Sequence, residues 1–169
     1  CVRLRKEFDG KVRTESLEEA GWFYYRTQDY QRAAAFLEEA VRRLPTAEGY
    51  ARLGHARLKL QQGNEAVEAW EQALSRDPSR GDLCKALGEL ALEQGYEEQA
   101  EIFLEEACRL DEHDCDGHEK LARLYLKRGA YLDAGRCYEN ILRLAPGRTD
   151  LMVQIAALYQ RQIAMATTQ

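Results

Sequence analysis

Between Leu110 and Lys120 the chain reads "LDEHDCDGHEK", which sets His113, Cys115 and His118 within six residues, with Cys108 just upstream. Thiolates and imidazole nitrogens are the donors of structural zinc, which needs four of them converging tetrahedrally, usually as close-spaced pairs. The run Cys108-x4-His113-x-Cys115-x2-His118 has donors of the right type in an unfamiliar spacing. The competing reading is that the stretch is a junction between two helices, with His118 half-buried as packing. No metal or cofactor is expected, and a metal or redox module around Cys108 to His118 stands as an alternative.

The chain that carries those residues is 45% apolar and 31% charged over 169 residues, the balance of a folded chain able to bury a core. Only Pro45, Pro78 and Pro146 interrupt a background rich in strong helix formers. A formal charge of −5 lacks the basic excess that phosphate backbones require, so nucleic acid is not an expected partner. No run of eighteen apolar residues and no signal-like start is visible, so membrane insertion is not expected. Five cysteines, an odd count without framework spacing, favour reduced thiols and a cytoplasmic setting. A lipidated Cys1 would instead make the protein periplasmic or membrane-anchored.

The chain also repeats itself. "AGWFYYRTQDYQRAAAFLEEAVRRLP" from Ala20, "LGHARLKLQQGNEAVEAWEQALSRDP" from Leu53, "LGELALEQGYEEQAEIFLEEACRLDE" from Leu87 and "LARLYLKRGAYLDAGRCYENILRLAP" from Leu121 align without gaps, 33, 34 and 34 residues apart. Small residues recur at Gly21, Gly54, Gly88 and Ala122 and at Ala33, Ala66, Ala100 and Ala134. Large ones recur at Leu37, Trp70, Leu104 and Tyr138. Ala40, Ala73, Ala107 and Ile141 follow, then Pro45, Pro78, Glu112 and Pro146. This pattern resembles the tetratricopeptide repeat. Arg57 and Ala91 depart from it where Tyr24, Tyr125 and Tyr159 supply its tyrosine, and Glu112 departs where it has proline.

The resemblance implies an all-α, right-handed superhelical solenoid of antiparallel helix pairs. Four repeats would span 14–46, 47–80, 81–114 and 115–148, with a terminal helix over 149–169 as a cap or the first helix of a fifth repeat. Segment 1–13 would be the remnant of a preceding repeat. Small residues let two helix backbones approach while the large residue fills the space beside them. One pair cannot bury its apolar side alone, so pairs stack around a concave groove.

Residues on the groove side of the first helices vary from copy to copy and are expected to select a protein or peptide partner. They are Trp22 in the first repeat, Arg52 and His55 in the second, Lys85 and Glu89 in the third, and Lys120 and Arg123 in the fourth. Beneath them Tyr25, Leu58, Leu92 and Leu126 form an apolar stripe, either a floor for the ligand or packing between helices. The segment Val2 to Phe8 folding back over Trp22 is the competing use of that aromatic. Phosphate loops, nucleophile elbows and paired-histidine helices are missing, so the chain reads as a non-catalytic scaffold or adaptor rather than an enzyme. A self-assembling structural unit is the other alternative. In the terminal helix Met152, Ile155, Ala156 and Tyr159 match the face a first helix buries against its own second helix, and Leu151, Leu158 and Ile163 add apolar surface. Either a further helix of the chain or a second copy of the protein, meeting it partly through Leu158, is expected to cover that side.

Overall fold

The computed structural model of the chain describes residues 16–167; the expectations for segment 1–13, for Cys1 and for Val2 to Phe8 covering Trp22 lie outside them. All regular structure among the described residues is helical. Residues 16–26 form α1, followed by α2 (Tyr30–Arg43), α3 (Ala47–Lys59), α4 (Gly63–Leu74), α5 (Gly81–Gln94), α6 (Glu97–Leu110), α7 (Cys115–Arg128), α8 (Tyr131–Leu144) and α9 (Thr149–Thr167). The chain divides between Ser79 and Arg80 into two compact units.

In the first unit α3 packs on both α2 and α4; in the second, α5 packs on α6, α6 on α7, α7 on α8 and α8 on α9. Helix pairs approach where the sequence places small residues. A methyl group on Gly54 would collide with the Trp70 indole, and one on Gly88 would lie 2.7 Å from Leu104 Cγ. Leu37, Trp70 and Leu104 are fully buried in these contacts, each such side chain stabilising the fold by about 1.5–3 kcal/mol. The Trp70 indole N–H donates to the Ala51 carbonyl at 3.3 Å, which satisfies the one polar group this large residue takes into the core.

The turn inside each helix pair has one geometry throughout. Gln28, Gln61, Gly95 and Gly129 all have positive φ, between 61° and 82°. In each, the residue after it donates its amide to a carbonyl five residues earlier, as in Asp29 to Tyr24 and Tyr96 to Ala91. This is the left-handed helix terminus that glycine favours. Glutamine there carries backbone strain.

Junctions between pairs are closed differently. Thr46 caps α3 by accepting from the Gly49 amide at 2.9 Å, and its hydroxyl donates to Glu18 on α1 at 2.7 Å. Where Glu112 stands in place of proline, α6 still ends at Leu110, because the Asp111 carboxylate accepts from the His113 amide at 3.0 Å and folds the chain away. The stretch from Leu110 to Lys120 is therefore the end of α6, a turn and the start of α7. Cys108 is buried, Cys115 half-buried, His113 exposed and His118 only 6% exposed. Burial pushes the Cys108 thiol up to about 11 and Cys137 to about 12, away from the thiolate a metal requires. Among the described residues no three His, Cys, Asp or Glu side chains are grouped to hold a metal ion. His118 goes deeper than the half-buried position expected for it, and neither ring nitrogen has a protein partner.

Successive pairs within a unit are also clasped by side-chain hydrogen bonds from a first helix to the second helix before it. The Tyr125 hydroxyl on α7 donates to Glu105 on α6 at 2.5 Å, and the Tyr159 hydroxyl on α9 donates to Glu139 on α8 at 2.7 Å. On α3 the equivalent residue is Arg57, one of the departures from the repeat pattern; it donates to Glu38 on α2 at 3.0 Å and fills the same role with a cation.

In α9, Leu151 and Leu158 are buried in the core of the second unit. Leu158 is thus not part of the outward surface through which a second copy was expected to meet the chain: two turns apart, it and Leu151 lie together on the side packed against α8. Met152, Val153, Ala156 and Ile163 face solvent instead.

Two stability changes should result. Gln61→Gly should raise the stability of the first unit by about 0.5–1 kcal/mol by relieving left-handed strain, less the entropy glycine loses on folding. A lower denaturation midpoint for this variant would mean that the Gln61 side chain contributes more than its backbone costs. His118→Leu should stabilise the second unit by about 1–2 kcal/mol, because it removes two buried nitrogens whose desolvation no protein group offsets. A denaturant midpoint that falls would show the imidazole to be partnered.

Candidate functional site

The residues expected to meet a partner fall on the first helices of the pairs, and the two units arrange them differently. In the first unit Trp22 and Tyr25, one turn apart on α1, stack face to face with centroids 4.7 Å apart and planes 6° from parallel. Tyr30 meets Tyr25 edge-on at 5.4 Å. From α3 the Arg52 guanidinium lies 5.3 Å from the Trp22 ring centre while its Nη1 pairs with Glu19 at 3.2 Å and its Nε with Glu48 at 2.7 Å. Burial opposes the charge on Arg52, and the two carboxylates outweigh it, holding the guanidinium firmly cationic. His55 sits one turn further along α3, half-buried and edge-on to Trp70 at 5.3 Å. Leu58 is half-buried below it. The outcome is an aromatic stack with a clamped cation over the Trp22 ring.

In the second unit the corresponding face is polar and internally paired. Lys85 on α5 reaches Asp114 at 2.8 Å and Asp116 at 2.6 Å across the start of α7. Lys120 bonds Asp116 on its own helix and reaches back to Glu89 on α5 at 3.1 Å. Charges therefore alternate along a ladder: Asp114, Lys85, Asp116, Lys120, Glu89. Hydrogen bonds from Lys120 and then Lys85 hold the Asp116 carboxyl below its usual range. For Asp114, burial works in the opposite direction and is outweighed by Lys85. Lys85, Glu89 and Lys120 are thus linked through Asp116, and with Asp114, Asp116 and Glu89 against Lys85 and Lys120 the ladder has one more carboxylate than ammonium. Arg123 is exposed and holds only Glu119, at 2.9 Å on the same helix, an interaction of about 0.3–0.5 kcal/mol.

Leu92 and Leu126 are half-buried against the core of the second unit, and Tyr25 against that of the first. Each presents part of its surface outward, so the stripe serves packing and leaves an apolar strip beside the polar residues. Asp114 and Asp116 are the ladder members that the sequence does not single out, because in a helix junction they are ordinary turn and first-turn acids. Their partners stand 29 and 31 residues away, near one repeat length, and that offset was the available signal. The described cysteines Cys84, Cys108, Cys115 and Cys137 are free thiols, and no helix among the described residues is long and apolar enough to cross a membrane.

Comparison with known proteins agrees with this geometry. The mouse tetratricopeptide repeat protein 21B is 28% identical over 108 residues, covering 64% of this chain and 8% of that protein. The Arabidopsis thaliana protein CTR9 homolog is 25% identical over 141 residues, covering 79% of the chain and 13% of that protein. The chain thus spans about a tenth of the length of these relatives. Among solved structures, the MamA protein superposes with a TM-score of 0.74 at 20% identity, covering 87% of this chain and 81% of MamA. YrrB, described as a tetratricopeptide protein with an unusual peptide-binding site, gives 0.72 at 20% identity, with coverages of 86% and 76%. Pseudomonas aeruginosa pilF gives 0.68 at 21% identity, with coverages of 92% and 72%. Tetratricopeptide repeat models match residues 3–48, 51–114 and 118–152. With small-to-large helix contacts, left-handed turns and these matches in agreement, the chain belongs to the tetratricopeptide repeat family.

Proposed function

We infer that the protein is a non-catalytic adaptor that binds a protein or peptide through the first-helix faces of its units. The observation that carries this reading is the half-exposed Trp22–Tyr25 stack with Arg52 over the Trp22 ring. Two aromatic rings held half-exposed offer a large apolar contact whose conformational entropy is already lost, and tryptophan, tyrosine and arginine dominate binding hot spots. Membership of a family whose members generally act as protein-binding scaffolds supports the reading. So does the peptide-binding site named for YrrB, a structural neighbour. Among the described residues the Cys108 and Cys137 thiols are pushed toward the neutral form and the Asp116 carboxyl is held by Lys120 and Lys85, which suits packing and pairing rather than nucleophilic or acid–base work. The reading therefore assigns no catalysis.

Peptides selected from a random display library on the intact chain would test this. Trp22→Ala should weaken a selected peptide by about tenfold or more, as a lost aromatic anchor does. Arg123→Glu should weaken acidic ligands while changing the melting midpoint by no more than about 0.5 kcal/mol, because only an exposed same-helix pair is lost. Lys120 is the poorer probe, since reversing it would break the ladder. Titration calorimetry showing undiminished affinity in both variants would place the binding surface on the second helices.

A further inference from the structure

Half of the large, exposed apolar side chains among the described residues belong to one helix: Met152 at 52%, Val153 at 73%, Ile163 at 64% and Met165 at 53% exposure all lie on α9. The spacing of the outward residues is informative. Thr149, Met152, Ala156, Ile163 and Ala166 are exposed and Tyr159 half-exposed, and the six follow one another at intervals of three, four, three, four and three, the spacing that a coiled-coil seam uses. About a third of a turn round the helix from this seam, Leu151 and Leu158 fix α9 to the core, so its rotation is set. Tyr159 is held too, with its hydroxyl on Glu139 and one ring edge against Gly135 of α8.

We propose that the outward face of α9 is a self-association surface, on which a second copy of the chain lays its own α9 antiparallel about a two-fold axis. Pairing seam positions in that orientation sets Met152 against Ile163 of the second copy and Ala156 against Tyr159 of the second copy, and the symmetry repeats both layers. Each layer joins a smaller or flexible residue to a larger one, so the seam complements itself. Electrostatics agree. The residues flanking the seam are Val153, Ile155, Gln160 and Gln162, none charged, so like charges do not meet when two copies approach. The only acid and base of α9 are Asp150, held by Arg148, and Arg161, placed 6.0 Å from the Tyr131 ring centre; both lie off the seam. A charged partner helix would gain nothing from this face, whereas an identical uncharged one matches it.

Sedimentation of the full chain over about 1 μM to 1 mM tests the proposal, the range in which a short apolar seam is measurable. The mean mass should climb from that of a single 19.4 kDa chain toward twice that value. Met152→Glu and Ile163→Lys, both exposed sites, should each weaken association by about tenfold or more while leaving helicity and melting unchanged. The double variant should regain affinity, because the antiparallel layer then joins opposite charges twice. A monomer at every concentration would overturn the proposal. Association insensitive to the single changes would overturn the assigned face, and a double variant no better than the singles would overturn the antiparallel register.

Discussion

Everything in this fold depends on two helix backbones coming close enough for one large side chain to span their contact. A glycine in α3 under Trp70 and another in α5 under Leu104 leave no room for even a methyl group. Close approach is useful because it removes a whole stripe from water and brings each pair to a reproducible angle. The turn that joins each pair takes two or three residues, one of them left-handed, and glycine or a strained glutamine fills that position. Caps and clasps add to this arrangement.

Once the pairs are formed, two sets of side chains connect each to its neighbour within a unit, one from second helix to first helix and one on the first-helix face. The former joins a glutamate of one second helix to a tyrosine or arginine of the following first helix. The latter varies. Trp22 meets Arg52 where, in the second unit, Glu89 meets Lys120. The same geometric relation is thus aromatic–cation in one unit and carboxylate–ammonium in the other. Such variation over a constant frame lets a repeat fold present different chemistry along its length without disturbing its core.

The repeat, the helix pairs and the place of the "LDEHDCDGHEK" stretch were legible because several offsets recur together and each has one physical cause. Three features were not. Gln28 and Gln61 do not announce a left-handed turn, which glycine signals only at Gly95 and Gly129. His118 is polar and nonetheless takes a core position, because its place in the frame decides its burial. In α9, Leu158 and Met152 are equally apolar, and which of them faces the core depends on where α8 lies. As for the candidate site, variability from copy to copy singles out one face of the first helices. Which of the charged residues there are free and which are tied to one another is a property of neighbours about thirty positions apart.

The two tryptophans, Trp22 and Trp70, both belong to the first unit. One is sealed in the core with its indole N–H bonded to a carbonyl, and the other is half-open beside a guanidinium. Indole emission from this protein is therefore a local report: Trp70 senses melting of the first unit, and Trp22 senses what comes to rest on its surface. The second unit contributes no indole. Its unfolding reaches an optical detector only through tyrosine and backbone signals, so emission and circular dichroism are two separate windows on one polypeptide.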